Sequence, residues 1–165
     1  MSIQKIISCI LFLISAASLS AQKANKFPDS FTDGQYITVN GAKLWVVTVG
    51  KGEPLIIIPG GPGGNHYPYR VFDSLTVKAN IQVIYFDAFG RGKSDTAKDV
   101  KEYSLERDIE DIEGLRKALH LDKLNVLGHS YGSLVAQGYA LKYGNNVSHL
   151  IIADGFHSYT MWARE

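Results

Sequence analysis

Cysteine is nearly absent from this chain: Cys9 is the only one among 165 residues. A single thiol so close to the N-terminus excludes a disulfide framework and a thiolate metal site, and it leaves the body of the chain without a thiol nucleophile. An excess of charge is missing too. Seventeen Lys and Arg stand against sixteen Asp and Glu, a formal net charge of +1. No global field therefore recruits nucleic acid or an anionic membrane, and neither is expected as a partner. The apolar run from Ile6 to Ile14 is far shorter than the roughly 20 residues a bilayer requires. Internal repeats and low-complexity tracts are lacking. Five prolines against sixteen glycines, 45% hydrophobic and 20% charged residues describe one globular domain with a sizeable core.

What is present begins with a secretory signal. Lys5 supplies a basic start, Ile6 to Ile14 an apolar centre, and Ser18-Leu19-Ser20-Ala21 a small-residue cleavage region. Residues 1–21 thus read as a signal peptide that takes Cys9 with it, and the mature chain is expected to be secreted or periplasmic, without stable membrane association. Residues 22–34 are polar, punctuated by Pro28 and Gly34, and read as a linker.

From Gln35 the pattern becomes that of an α/β domain. Gln35 to Val39 and Lys43 to Val49 alternate around Asn40-Gly41 and predict an antiparallel hairpin. Leu55 to Ile58 is a continuous apolar run, as expected of a parallel strand covered on both faces, and Ile81 to Phe86, the short apolar run Leu124 to Leu127, and Val147 to Ile152 read as further buried strands. Between them, Tyr67 to Lys78 is weakly helical. Ser104 can cap a helix with Leu105, Ile109, Ile112, Leu115 and Leu119 on one face. Glu106, Asp108, Glu110, Asp111 and Glu113 read as the solvated face of that helix, suited to its N-terminal dipole. A further helix runs from Leu134 to Tyr143, with Gly144 as its stop. Alternating strands and helices imply right-handed crossovers and a mostly parallel sheet led by the hairpin.

One stretch carries chemistry. Gly128-His129-Ser130-Tyr131-Gly132 lies between a buried strand and a helix, which is the G-x-S-x-G nucleophile elbow. Gly128 and Gly132 permit the close approach of strand and helix, so Ser130 is the candidate nucleophile and Tyr131 N–H a candidate oxyanion donor. The glycine-rich exit of the first parallel strand, Pro59-Gly60-Gly61-Pro62-Gly63-Gly64, can supply the second donor, Gly61 N–H. Nucleotide binding is excluded by spacing. Gly92-Lys93-Ser94 would need a glycine where Asp87 stands, and a dinucleotide frame from Gly61 would need one at His66. No cofactor or metal is expected.

With these residues in place, the chain resembles the proline iminopeptidase (prolyl aminopeptidase) family of α/β-hydrolases. Gly60 to Gly64 matches the family's oxyanion loop, with Pro59 where the family has histidine. Asp87-x-x-Gly90-x-Gly92-x-Ser94 matches a loop shared more widely across the fold, and Asp111-Ile112-Glu113-x-Leu115-Arg116 a helix signature of these peptidases. The elbow carries His129 and Tyr131 where the family usually has Gly and Trp. The resemblance covers residues 35–155 and implies an α/β-hydrolase fold, truncated before the lid and last strands, with residues 156–165 as the start of the lid.

In that fold the catalytic acid and histidine follow the serine, yet only His149 and His157 lie downstream of Ser130. His149 reads as a strand-edge residue and His157 as lid; His66, His120 and His129 lie upstream. Asp154, at a strand exit, is a remote candidate for the acid. The chain is therefore expected to be an incomplete, inactive part of a secreted serine hydrolase, by resemblance an aminopeptidase releasing N-terminal proline from small peptides. An ester or small-amide hydrolase is the alternative, and a noncatalytic remnant or binding module is the reading from another class.

Overall fold

The structure, a computed structural model, describes residues 34–74 and 79–156. The expected signal peptide, the linker up to residue 33 and His157 lie outside these residues. The described chain opens with β1 (Gln35–Val39) and β2 (Ala42–Val49), joined as predicted at Asn40-Gly41. Both turn residues have positive φ, +48° and +80°, which is what a two-residue hairpin loop matching strand twist demands. Four more strands follow, β3 (Glu53–Ile58), β4 (Ile81–Phe86), β5 (Leu124–His129) and β6 (Val147–Ala153). They form one six-stranded sheet in the order β1-β2-β4-β3-β5-β6. β2 pairs antiparallel with β4, and the four strands from β4 to β6 are parallel.

β3, β4 and β5 are largely buried because successive side chains serve opposite faces and both are covered, whereas β6, expected to be a covered strand, is the outer strand of the described sheet and stays largely exposed. Ile56, Ile58, Ile84, Phe86 and Val126 pack on one side with two helices, α1 (Leu105–Ala118) and α2 (Tyr131–Tyr143). Ile57, Val83 and Tyr85 pack on the other with Trp45 and Val47. Ser104 caps α1 as expected, its Oγ accepting from Arg107 N–H at 3.0 Å. Ile109, Ile112 and Leu115 are buried; Leu105, in the first turn, is 41% exposed and does not reach the core.

The acidic face of α1 departs from expectation. Glu106 and Glu110 do face solvent, but Asp108, Asp111 and Glu113 are 5%, 0% and 4% exposed. α1 is enclosed on more than one face, and each buried carboxylate meets donors there. Asp108 accepts from Arg91 and from Tyr131 Oη, Asp111 from Asn40 and Arg107, and Glu113 from Arg116 and Tyr139 Oη.

Two further elements take particular forms. The segment beginning at Tyr67, expected to be weakly helical, opens as a 3-10 turn over Tyr67–Phe72 and is α-helical at Asp73 and Ser74. Pro68 supplies no N–H, and the turn closes through the tighter Tyr69 N–H to His66 carbonyl bond of 3.1 Å. Gly144 ends α2 in right-handed geometry and leads into a 3-10 turn, so it is not a left-handed cap.

The sheet order fixes where a ligand can sit. β3 is followed by β4 on one side, whereas β5 is followed by β6 on the other. The two neighbouring strands therefore send their exits apart, leaving a crevice at their C-terminal ends, the usual binding place in open α/β sheets.

Candidate active site

Ser130 is the single residue between β5 and α2, with φ +51° and ψ −120°. A side chain held at positive φ costs on the order of 1–3 kcal/mol and persists only where its surroundings over-determine it. Here they do. Ser130 N–H donates to Ala153 O on β6 at 3.1 Å, and Ser130 O accepts from Ser133 N–H at 2.8 Å. The predicted glycines are required by contact. A Cβ on Gly132 would strike the Ile58 carbonyl oxygen and lie 2.7 Å from that of Pro59. One on Gly128 would strike the Gly132 carbonyl and lie 2.7 Å from Ala136 Cβ. The Ser130 hydroxyl makes no capping hydrogen bond to α2, which leaves it available at the crevice.

The glycine loop after β3 lies against this elbow. A Cβ on Gly60 would be 3.0 Å from His129 Nδ1 and 3.1 Å from Ser130 Cβ. Gly61 and Gly63 have φ of +138° and +113°, and the Gly61–Pro62 peptide is cis. Tyr131 opens α2, so its N–H has no carbonyl one turn back to bind. Ser130, Tyr131 and the loop bearing Gly61 are thus gathered at the C-terminal ends of β3 and β5.

Tyr131 is also anchored by its side chain. Its Oη donates to Asp108 Oδ2 at 2.9 Å, while Arg91 Nη1 donates to Asp108 Oδ1 at 2.5 Å. Burial, reinforced by the Asp108 charge, pushes the Tyr131 phenol up to about 12, so it stays a donor. Burial disfavours the Arg91 cation, but Asp108 more than offsets this and holds it above its ordinary value. Below the elbow, a void of about 10 Å³ touches Ile58, Phe86, Arg91, Asp108, Tyr131 and Val135, room for one water and not for a substrate.

The Asp87 loop braces the site from behind. Asp87 Oδ1 accepts from His66 N–H at 3.0 Å and from His66 Nδ1 at 2.7 Å, and Oδ2 accepts from Lys93 N–H at 2.9 Å. Burial works against ionisation, but these hydrogen bonds outweigh it and hold Asp87 below its ordinary range. Ser94 Oγ donates to Asp87 O at 2.5 Å and accepts from Trp45 N–H at 2.8 Å. Gly92-Lys93-Ser94 therefore serves its own loop rather than a phosphate.

No described histidine reaches Ser130 as a base. His66 is engaged with Asp87, His129 Nδ1 with Tyr69 Oη, and His149 Nδ1 with Asn125 Oδ1; His120 is exposed beyond α1. Asp154 is exposed at the exit of β6, beside the Ala153 that binds Ser130 N–H. Among the described residues no group of three His, Cys, Asp or Glu side chains is placed to hold a metal ion. The contacts of Tyr69, His66 and Arg91 are not apparent from sequence. Only Asp87, inside a recognisable loop pattern, carried a signal.

Residues 53–165 match the family model described as the alpha/beta hydrolase fold. A proline iminopeptidase of Saccharolobus solfataricus is 38% identical over 117 residues, 70% of this chain and 37% of that protein. The crystal structure of a proline iminopeptidase from Mycobacterium smegmatis superposes with a TM-score of 0.74 at 22% identity, covering 79% of this chain and 46% of that one. An esterase from Exiguobacterium antarcticum superposes at 0.67 with 30% identity, over 74% of this chain and 45% of that one. The chain spans less than half the length of each of these relatives.

Proposed function

The chain belongs to the alpha/beta hydrolase fold family, and from that premise we propose that it carries the nucleophile and oxyanion hole of a serine hydrolase. The observation that carries this reading is Ser130, held at φ +51° between β5 and α2 with the Gly60 to Gly64 loop against it. Ser130 Oγ gives up its proton to a base and attacks the substrate carbonyl carbon. The scissile C–N or C–O bond breaks as the amine or alcohol leaves with that proton, and water then hydrolyses the acyl-enzyme to acid and free Ser130. Gly61 N–H and Tyr131 N–H receive the oxygen as it gains negative charge. Such preorganised donors are each worth roughly 10² to 10³ in rate. The base that takes the Ser130 proton comes from outside residues 34–74 and 79–156, since every described histidine is committed elsewhere or remote.

The substrate class we propose is a small peptide with N-terminal proline, supported by the likeness to proline iminopeptidases. The second reading, a carboxylester, is favoured by the 30% identity to an esterase and by His129 and Tyr131 at the elbow. Export is proposed from the signal-like composition of residues 1–21. The test is full-length protein assayed on prolyl arylamide, N-acetylprolyl arylamide and p-nitrophenyl acetate. Cleavage of prolyl arylamide alone supports the aminopeptidase. Cleavage of the acetate alone supports the esterase, and turnover of none of the three supports a noncatalytic module.

A further inference from the structure

We propose that Tyr69 is a positioning residue that sets the spacing between the two sides of the oxyanion hole, a role that rests on the serine hydrolase reading. Its phenol oxygen stands between the two elements that must stay in register. Gly60 N–H donates to Tyr69 Oη at 2.8 Å, and Tyr69 Oη lies 2.8 Å from His129 Nδ1. Gly60 is the neighbour of the donor Gly61, and His129 directly precedes Ser130. One oxygen thus ties the loop after β3 to the elbow after β5.

The chemistry of the bridge is self-consistent. The oxygen accepts from Gly60, so its own hydrogen is free for His129 Nδ1 when that ring carries its hydrogen on Nε2. The rings meet edge to face, with centroids 5.7 Å apart, a geometry that supports the same orientation.

Tyr69 is itself fixed in place. It rides on the 3-10 turn Tyr67–Phe72, whose N-cap is His66. Both His66 N–H and Nδ1 bind Asp87 Oδ1, and the two side chains are only 7% and 1% exposed. An ionised carboxylate can only accept, so Nδ1 carries the hydrogen there. Asp87 at the exit of β4 therefore locates the turn, and the turn locates the phenol.

A tether is needed because the loop cannot hold itself. Gly61 and Gly63 both occupy positive φ, and a run of glycines has access to many other conformations. Oxyanion donors work only when held about 2.7–3.1 Å from the developing charge. A loop free to drift would spend much of its time out of reach. The bridge also gives a role to His129, whose Nδ1 meets the Tyr69 oxygen.

The test is Tyr69→Phe in the full-length protein, which keeps the ring and removes only the oxygen. We expect kcat to fall about tenfold, or about 1.4 kcal/mol in barrier, with KM changed less than about twofold. Labelling of Ser130 by a fluorophosphonate should slow by the same factor, and Gly60 amide hydrogen exchange should accelerate. The melting temperature should stay nearly constant. Unchanged Gly60 exchange would overturn the tether, and faster exchange with unchanged kcat would overturn the positioning role. A loss of kcat matched by general unfolding also counts against it. Absence of turnover in the parent protein would instead overturn the hydrolase reading, and the positioning role with it; the exchange measurement still reports whether the tether exists.

Discussion

At the scale of single residues, Ser130 is separable from the fold it sits in. Ser130→Ala removes a hydroxyl that makes no capping bond to α2, so the far-ultraviolet spectrum and melting temperature should hold while turnover falls by about 10⁴ or more. Steady-state kinetics on the full-length protein checks this, and retained turnover would point to another nucleophile. Glu113 is separable in the opposite sense, mattering to stability and not to chemistry. Arg116 above all, with help from Tyr139 and against the cost of burial, lowers its pKa from 4.5 to about 2. The folded value is depressed, so the stabilisation is present above the unfolded pKa near 4.5 and is lost as pH falls towards 2. It amounts to on the order of 3 kcal/mol at neutral pH. Urea titrations between pH 7 and 2 should show Glu113→Gln less stable at pH 7 and converging with the parent near pH 2. Ser130, Gly128 and Gly132 were legible in the sequence because they are contiguous and each answers a local geometric demand. The Tyr69 to His129 and His66 to Asp87 contacts were not, since their partners stand 60 and 21 residues apart and nothing local announces them.

At the scale of elements, the junction of β3, β5 and α2 leaves no room for a methyl group. Gly132→Ala would push a Cβ into the Ile58 carbonyl oxygen, and such overpacking typically costs about 1–3 kcal/mol. The strain falls on the strand that launches the oxyanion loop. Activity should therefore drop further than stability does, by at least tenfold for a loss of about 2 kcal/mol, as read by paired kinetic and denaturation measurements. Equal activity in a stably folded Gly132→Ala protein would mean the elbow and loop are not mechanically joined. The strands were legible from short apolar-rich stretches, and the hairpin from Asn40-Gly41. The acidic face of α1 was misread for a physical reason. A binary pattern assigns a carboxylate to water, whereas Asp108 and Asp111 are buried against Arg91 and Asn40, which lie far off in sequence. Burial outweighs the hydrogen bonds at Asp111, and its pKa is raised.

At the scale of the whole molecule, β6 is the outermost strand of the sheet among the described residues, and its Leu150, Ile151 and Ile152 are 40–45% exposed. An outer strand with apolar side chains and unpaired backbone groups is a template for association. Residues 22–165 prepared alone are expected to self-associate, and sedimentation showing a stable monomer at tens of micromolar would contradict this. A mostly parallel sheet led by a hairpin was legible from the alternation of strands and helices, whereas the order of the strands was implied only by the resemblance to a known fold. With β3 paired to β5, the loop and the elbow meet. The base was not found because the described residues hold no histidine free to reach Ser130. The central claim, that this serine is a catalytic nucleophile, is tested most directly by treating full-length protein with a fluorophosphonate and mapping the adduct by mass spectrometry. The account predicts one phosphonyl group on Ser130, absent when the protein is heat-unfolded before treatment and absent in Ser130→Ala; an adduct on a different residue, or native active protein with no adduct at all, would contradict it.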